Sequence, residues 1–193
     1  MTTMKQLFLP ALAVAVLAVL GAGAGTLFAT DQQPPFRVLA ETAEEGDALP
    51  QAVLDSPGAA DLGPAETARR VATYEDRTYY LMRGAEDRLC LVDYKAPDNV
   101  GAICVPWQGD SLKTLVSHSS FDADGNRFTA VLAPDGYDEL WAGGKDGASS
   151  SKRVVDNLAI VPTDETTELA LVGDGVEPLA LQLMPRSAML GPE

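Results

Sequence analysis

Hydrophobic and polar positions follow three different rhythms along the chain. Leu7 to Ala29 is a run of 23 positions without a charge, preceded only by Lys5 and ended by Asp31. At a rise of roughly 1.5 Å per residue a helix of that length reaches about 34 Å, against a bilayer core of about 30 Å, so the run predicts one transmembrane helix. Beyond Tyr74 the apolar residues fall in short β-branched and aromatic runs: Thr78 to Met82, Leu89 to Val92, Ala102 to Val105, Phe128 to Leu132, Tyr137 to Trp141, Leu158 to Val161 and Leu169 to Val172. These predict strands, with Gln182 to Met184 closing the last one. Between the two regimes, residues 31–67 read as an acidic, Pro-containing linker interrupted by the apolar Phe36 to Leu39 and Leu49 to Leu54, parts of which lie against the domain. Gly63-Pro64 followed by Glu66 predicts a short helix to about Ala72, with Pro at its first position.

Turn chemistry separates the strand candidates. Asp124-Gly125, Asp135-Gly136 and Asp146-Gly147 recur every 11 residues, and Asp174-Gly175 follows later. Phe128 to Ala133 and Tyr137 to Ala142 therefore predict an antiparallel hairpin around Pro134-Asp135-Gly136. About 120 residues with so many short strands bury one core, which places residues 68–185 in a single mainly β domain, an antiparallel sandwich or partly open barrel. Residues 186–193 read as a tail.

The first regime also sets an address. Lys5 and the amino terminus are the positive charges before the span, which puts the N-terminus in the cytoplasm and the C-terminal domain outside. A cleaved signal peptide is the competing reading, because Leu7 to Leu20 makes an ordinary apolar core and Ala22-Gly23-Ala24 offers a cleavage site. Length favours the anchor, since bilayer span is reached only with Leu27 to Ala29 included. No Cys closes the apolar run, which excludes a lipoprotein. Gly21 and Gly25 have the small-xxx-small spacing through which membrane helices pair, an alternative role as a structural or assembly subunit.

Charge then narrows the partners. The whole chain carries −14; beyond Lys5 there are 13 basic against 28 acidic side chains, hence about −15. A field of that sign repels phosphate backbones, so nucleic acid is not a partner. Cys90 and Cys104 are the two cysteines, and an exported chain pairs them as a disulfide across the turn Ala96 to Asn99. Two thiols and one His make a poor zinc site, and no cofactor is predicted.

Several residue groups have the letters of chemistry without its context. His118, between Ser117 and Ser119, lies among hydroxyls that alternate to the opposite face of a strand, and it reads as a surface-loop residue without an orienting partner. Ser149 to Lys152 spells Ser-x-x-Lys but sits among Gly143, Gly144 and Gly147, which predicts a loop. Asp122, Asp124 and Asn126 begin like a calcium loop, but Arg127 and Ala133 occupy the positions that need Gly and Glu, leaving an Asp-stabilised turn. Asp122, Asp124, Asp135 and Asp138 are the carboxylates an exported hydrolase would use, provided two of them converge. Tyr74, Tyr79, Tyr80, Tyr94, Trp107, Phe128, Tyr137 and Trp141 either fill the β core or line a groove.

Phe36 to Leu39 with Asp47 to Pro50, then Ala68 to Ala72, Tyr80 to Gly84, Leu89 to Val92, Cys104, Ala133 to Tyr137 and Val155 to Asn157 occur in an order that resembles an uncharacterised family of exported, membrane-anchored proteins of actinobacterial type. The resemblance spans about Phe36 to Val172 and implies the anchor, the disulfide and a β-rich outer domain, with no activity or functional residues attached. The sequence thus points to a binding or interaction module of the bacterial envelope, held by its membrane helix and facing a protein or cell-wall partner.

Overall fold

The computed structural model describes residues 36–107, 116–144 and 147–183. The 7–29 apolar run, Gly21 and Gly25 lie outside them; among the described residues no helix is long and apolar enough to cross a membrane. In chain order the strands are β1 (Arg69–Tyr74), β2 (Arg77–Gly84), β3 (Arg88–Lys95), β4 (Asn99–Pro106), β5 (Ser117–Phe121), β6 (Arg127–Leu132), β7 (Glu139–Gly144), β8 (Ser149–Arg153), β9 (Leu158–Pro162), β10 (Thr166–Val172) and β11 (Leu179–Gln182). They form three open antiparallel sheets: the first in the order β1-β2-β3-β4, the second β5-β6-β9, the third β11-β10-β7-β8. No sheet among the described residues closes into a barrel.

Side-chain parity shows how the sheets stack. On β2 and β3, Tyr79, Leu81, Leu89 and Leu91 point into one core, which they share with Phe128, Ala130 and Leu132 of β6 and Leu158 of β9. The intervening Val131, Ala133, Ala159 and Val161 point the other way, into a core with Leu140, Ala142, Leu169 and Leu171 of the third sheet. The second sheet is therefore buried on both faces, which is why every residue of β6 is buried. Period 2 converts a continuous apolar run into two opposed apolar faces, so these strands need a cover on each side. Each fully buried Leu contributes roughly 1.5–3 kcal/mol relative to exposure.

The back of the first sheet is covered by the segment ahead of it. Tyr80, Met82, Cys90 and Val92 pack beneath Leu49, Val53, Leu62 and Ala65, while Phe36, Val38 and Leu39 enter the core between the first and second sheets. The acidic, Pro-containing stretch is thus a strap of short turns: 3-10 at Arg37–Ala40, Glu45–Asp47, Ala59–Asp61 and Ala65–Thr67, with α1 at Gln51–Leu54. Prolines and acids set its irregular path, and its few apolar residues hold it down. The helix expected from Gly63 to Ala72 is replaced by the single turn Ala65–Thr67, and β1 begins at Arg69. Val71 is drawn into the first core, which outweighs the helix signals of Pro64 and Glu66.

Cys90 and Cys104 are joined, directly opposite one another on β3 and β4. Their Cα atoms are 4.1 Å apart, closer than usual for a disulfide, and the two residues face each other across adjacent strands.

Gly125, Gly136, Gly147 and Gly175 have φ of 82°, 98°, 75° and 73°, the left-handed conformation that the Asp-Gly pairs predict. The hairpin expected between Phe128 to Ala133 and Tyr137 to Ala142 does not form, although both runs contain strands. Both edges of β6 are taken by β5 and β9, and the Pro134-Asp135-Gly136 turn carries the chain from the second sheet into the third. Gly173 backs onto the Gly136 carbonyl there so closely that a Cβ has no room.

Candidate functional site

A concavity lies between the strap and β1. Two side-chain clamps, one a carboxylate and one a guanidinium, hold the strap in place. Asp47 accepts the backbone N–H of Arg70 on one oxygen and that of Glu44 on the other, both at 2.8 Å. The Arg69 guanidinium donates twice to the Glu41 carbonyl, at 3.0 and 2.6 Å. Between these clamps a trough of about 520 Å³ is lined by Glu41, Glu44, Asp47, Arg70, Thr73 and Asp156. A second cleft of about 310 Å³, with Arg37, Asp135, Tyr137 and Asp138 on its walls, shares Val38, Glu41 and Asp156 with the first, so the two run together. Both are open to solvent and walled by charged side chains and backbone.

Asp156 and Asn157 form the junction. Both have positive φ, 47° and 64°, and the Val155 and Leu158 backbones exchange hydrogen bonds of 2.9 and 2.8 Å across them, as in a two-residue hairpin turn. Asn157 is fixed from three sides: its Nδ2 donates to the Ala133 carbonyl at 3.0 Å and to Asp135 Oδ1 at 2.8 Å, and its Oδ1 accepts from the Val38 N–H at 3.4 Å. Asp135 Oδ2 accepts the Arg37 N–H at 2.8 Å. Both oxygens of Asp135 are therefore engaged in holding the strap to the turn, a positioning role.

A second group of titratable side chains lies inside the fold. Asp93 on β3 is 1% exposed and accepts from Arg77 Nη1 of β2 at 2.8 Å. His118 Nε2 of β5 stands 3.4 Å from the same Asp93 oxygen. Gly101 makes this approach possible, since a Cβ on it would lie 3.0 Å from His118 Nε2. Tyr79 lies within this group, and burial pushes its phenol far above the ordinary value, with the Asp93 carboxylate adding to the shift. Arg77 Nε, Asp93 Oδ1 and the Tyr79 hydroxyl are buried with no hydrogen-bond partner among the described residues. The Arg77 guanidinium also stands 5.9 Å from the centre of the Phe128 ring. The arrangement sets Arg77 and Asp93 of the first sheet against Phe128 and His118 of the second.

His118 is thus not the partnerless loop residue that its sequence suggests. It sits on β5 with a carboxylate beside it, its side chain 24% exposed. The neighbouring Ser119 hydroxyl turns away and pairs with Thr129 at 2.8 Å, so the strand alternation separates the base from the nucleophile as expected. The signal for Asp93 was a lone acid inside the apolar run Leu89 to Tyr94. Ser149 to Lys152, expected as a loop, is most of β8, an exposed edge strand paired with β7. Ser149 and Lys152 are three residues apart on it and project to opposite faces.

Asp122 and Asp124 belong to the β5–β6 turn. Asp122 Oδ1 accepts the backbone N–H of Asp124 at 2.9 Å and of Asn126 at 2.8 Å, and Oδ2 accepts Asn126 Nδ2 at 2.9 Å. The Asn126 side chain, helped by these N–H groups, holds the Asp122 carboxyl below the usual range. This is the Asp-stabilised turn that the failed calcium register left. Asp135 and Asp138 instead line the second cleft, so the four carboxylates are divided between two places. Among the described residues no three His, Cys, Asp or Glu side chains group as metal ligands. Comparison with protein-family models, with curated proteins and with solved structures finds no match to the chain.

Proposed function

We propose that this chain is a membrane-anchored extracytoplasmic β domain that works as a binding module of the bacterial envelope, with the strap trough as its recognition surface. The observation that carries the reading is the continuity of the two clefts through Val38, Glu41 and Asp156. Together they make an elongated, open, charged channel suited to an extended polar segment of a partner. The clamps from Asp47, Arg69 and Asp135 preorganise its walls, so the trough is largely formed before a ligand arrives. The 23-residue apolar run and the resemblance to anchored envelope proteins support the location.

The test is capture of envelope extract on the full chain beside its Thr73→Trp variant, in which an indole occupies the exposed trough wall. A partner retained by the parent and lost with the variant is the expected result. Equal retention by both, or by neither, overturns the reading. Mass measurement of the membrane fraction tests the anchor: a mature chain starting near Gly25 would reject it.

A further inference from the structure

The outer face of the third sheet carries an aromatic side chain that no core claims. Trp141 of β7 is half-buried and takes part in none of the three core clusters. Its six-membered ring lies across Gly143, two residues on along the same strand; a Cβ there would come within 2.5 Å of the ring. A glycine at that position leaves the room that the ring takes up against the sheet. The residues directly opposite it are Ser151 on β8 and Ala170 on β10, and Ala180 of β11 follows in the same row. All three are small, so the described residues in its own row leave room around the ring. The rows on either side place Glu139 opposite Arg153, and Gly143 between Ser149 and Glu168. Glu139, Glu168, Ser149, Ser151 and Arg153 are exposed.

From this juxtaposition we propose that the outer face of the third sheet is a glycan-binding platform, with Trp141 stacking on one sugar ring of a β-1,4-linked polysaccharide strand. The negative face of an indole is matched by the slightly positive C–H face of a pyranose. Flat β-1,4-linked rings suit a partly exposed indole whose cross-strand neighbours are small. The equatorial hydroxyls then reach outward to a rim that holds both donors and acceptors: two serines, an arginine and two carboxylates. A cation is the competing occupant of an indole face, but Arg153 stands opposite one of the two flanking carboxylates, and a single open ring holds an exposed cation only weakly. None of these residues lines the strap trough, so this site stands or falls apart from it.

Titration of the full chain with cellohexaose and chitohexaose, read by the indole N–H signals and by calorimetry, tests the platform. One or both hexasaccharides should move the Trp141 signal. Trp141→Ala should weaken binding by at least about tenfold, and Trp141→Phe should restore part of it. Gly143→Val, which lifts the indole off the sheet, and Ala170→Phe, which walls it, should each weaken binding with Trp141 still present. Circular dichroism of each variant controls for folding, and any one folded variant suffices. The proposal is overturned if neither hexasaccharide moves the signal at about 10 mM, or if the folded variants bind like the parent. It is equally overturned if hexalysine or tetramethylammonium moves the signal and the sugars do not.

Discussion

Replacing Tyr79 by Phe should stabilise this protein. Tyr79 is fully buried in the core between the first and second sheets, and its hydroxyl has no hydrogen-bond partner among the described residues. The ring packs the same way in phenylalanine, so the substitution removes only a desolvated polar group. A buried hydroxyl left unpaired costs roughly 1–3 kcal/mol. A gain of about 1 kcal/mol is the conservative expectation at pH 7, or a rise in Tm of about 2–4 °C for a domain near 150 residues. The difference should widen in alkali. Burial raises the Tyr79 phenol, so the folded state keeps its proton where the unfolded chain, with an ordinary value near 10, releases it. The unfolded state then binds fewer protons, and the parent loses stability as pH rises above about 10, by at most ~1.4 kcal/mol per unit. The variant lacks that loss. Tyr74 and Tyr80, also raised by burial, remain in both proteins and cancel from the comparison. Urea denaturation at pH 7 and pH 11 measures both arms; among the described residues no cysteine is free to reshuffle the disulfide in alkali. A Phe variant less stable than the parent by 1 kcal/mol or more would show that the hydroxyl is paired, and would refute the reasoning.

Arg77→Met leaves Asp93 charged and buried without its 2.8 Å partner, and should destabilise by about 3–5 kcal/mol. Adding Asp93→Leu should recover most of that loss, a recovery that chemical denaturation of the single and double variants will show or exclude. The Cys90→Ala/Cys104→Ala double variant opens a cross-link spanning 14 residues and should lower stability by about 3 kcal/mol, read as the shift in urea midpoint against the oxidised parent. Gly173→Ala drives a methyl into the Gly136 carbonyl and should cost about 1–3 kcal/mol. Gly58→Ala, with no atom near its added methyl, should stay within about 0.5 kcal/mol, and thermal melts of the two distinguish collision from backbone entropy.

Strand identity was legible wherever apolar residues carried it. Leu89 to Val92 and Phe128 to Leu132 read correctly because short, mostly apolar runs fill strands that are buried on both sides. β5 and β8 were hidden for the opposite reason: Ser-His-Ser-Ser and Ser-Ser-Ser-Lys lie on sheet edges, where pairing to a neighbour supplies the structure and side chains contribute little. The Asp-Gly turns announced their glycine conformations but not which strands they joined. Pro134 to Gly136 has the composition of a hairpin, yet pairing was decided by β5 and β9 competing for the edges of β6. Of the trough, Asp135 and Asp138 were visible as carboxylates, while Asp156 joined them through a turn that only the fold places nearby. The proximity of Asp93 to His118 depended on Gly101, a residue notable in sequence only for being small.

The route of the chain between the second and third sheets limits how the protein can be divided. It leaves β6 for β7 and β8, returns for β9, and departs again for β10 and β11. Neither sheet is a contiguous piece of sequence, and each contains strands separated by the other. A fragment ending after β6 would lack β9 and the third sheet, uncovering Val131 and removing Thr163 from beside the buried Arg127 and Thr129. Cutting within residues 133–157 would therefore yield two insoluble halves in place of two smaller domains. Truncation from the C-terminus should abolish the whole fold in one cooperative step, including the first sheet, whose inner face rests on those same strands.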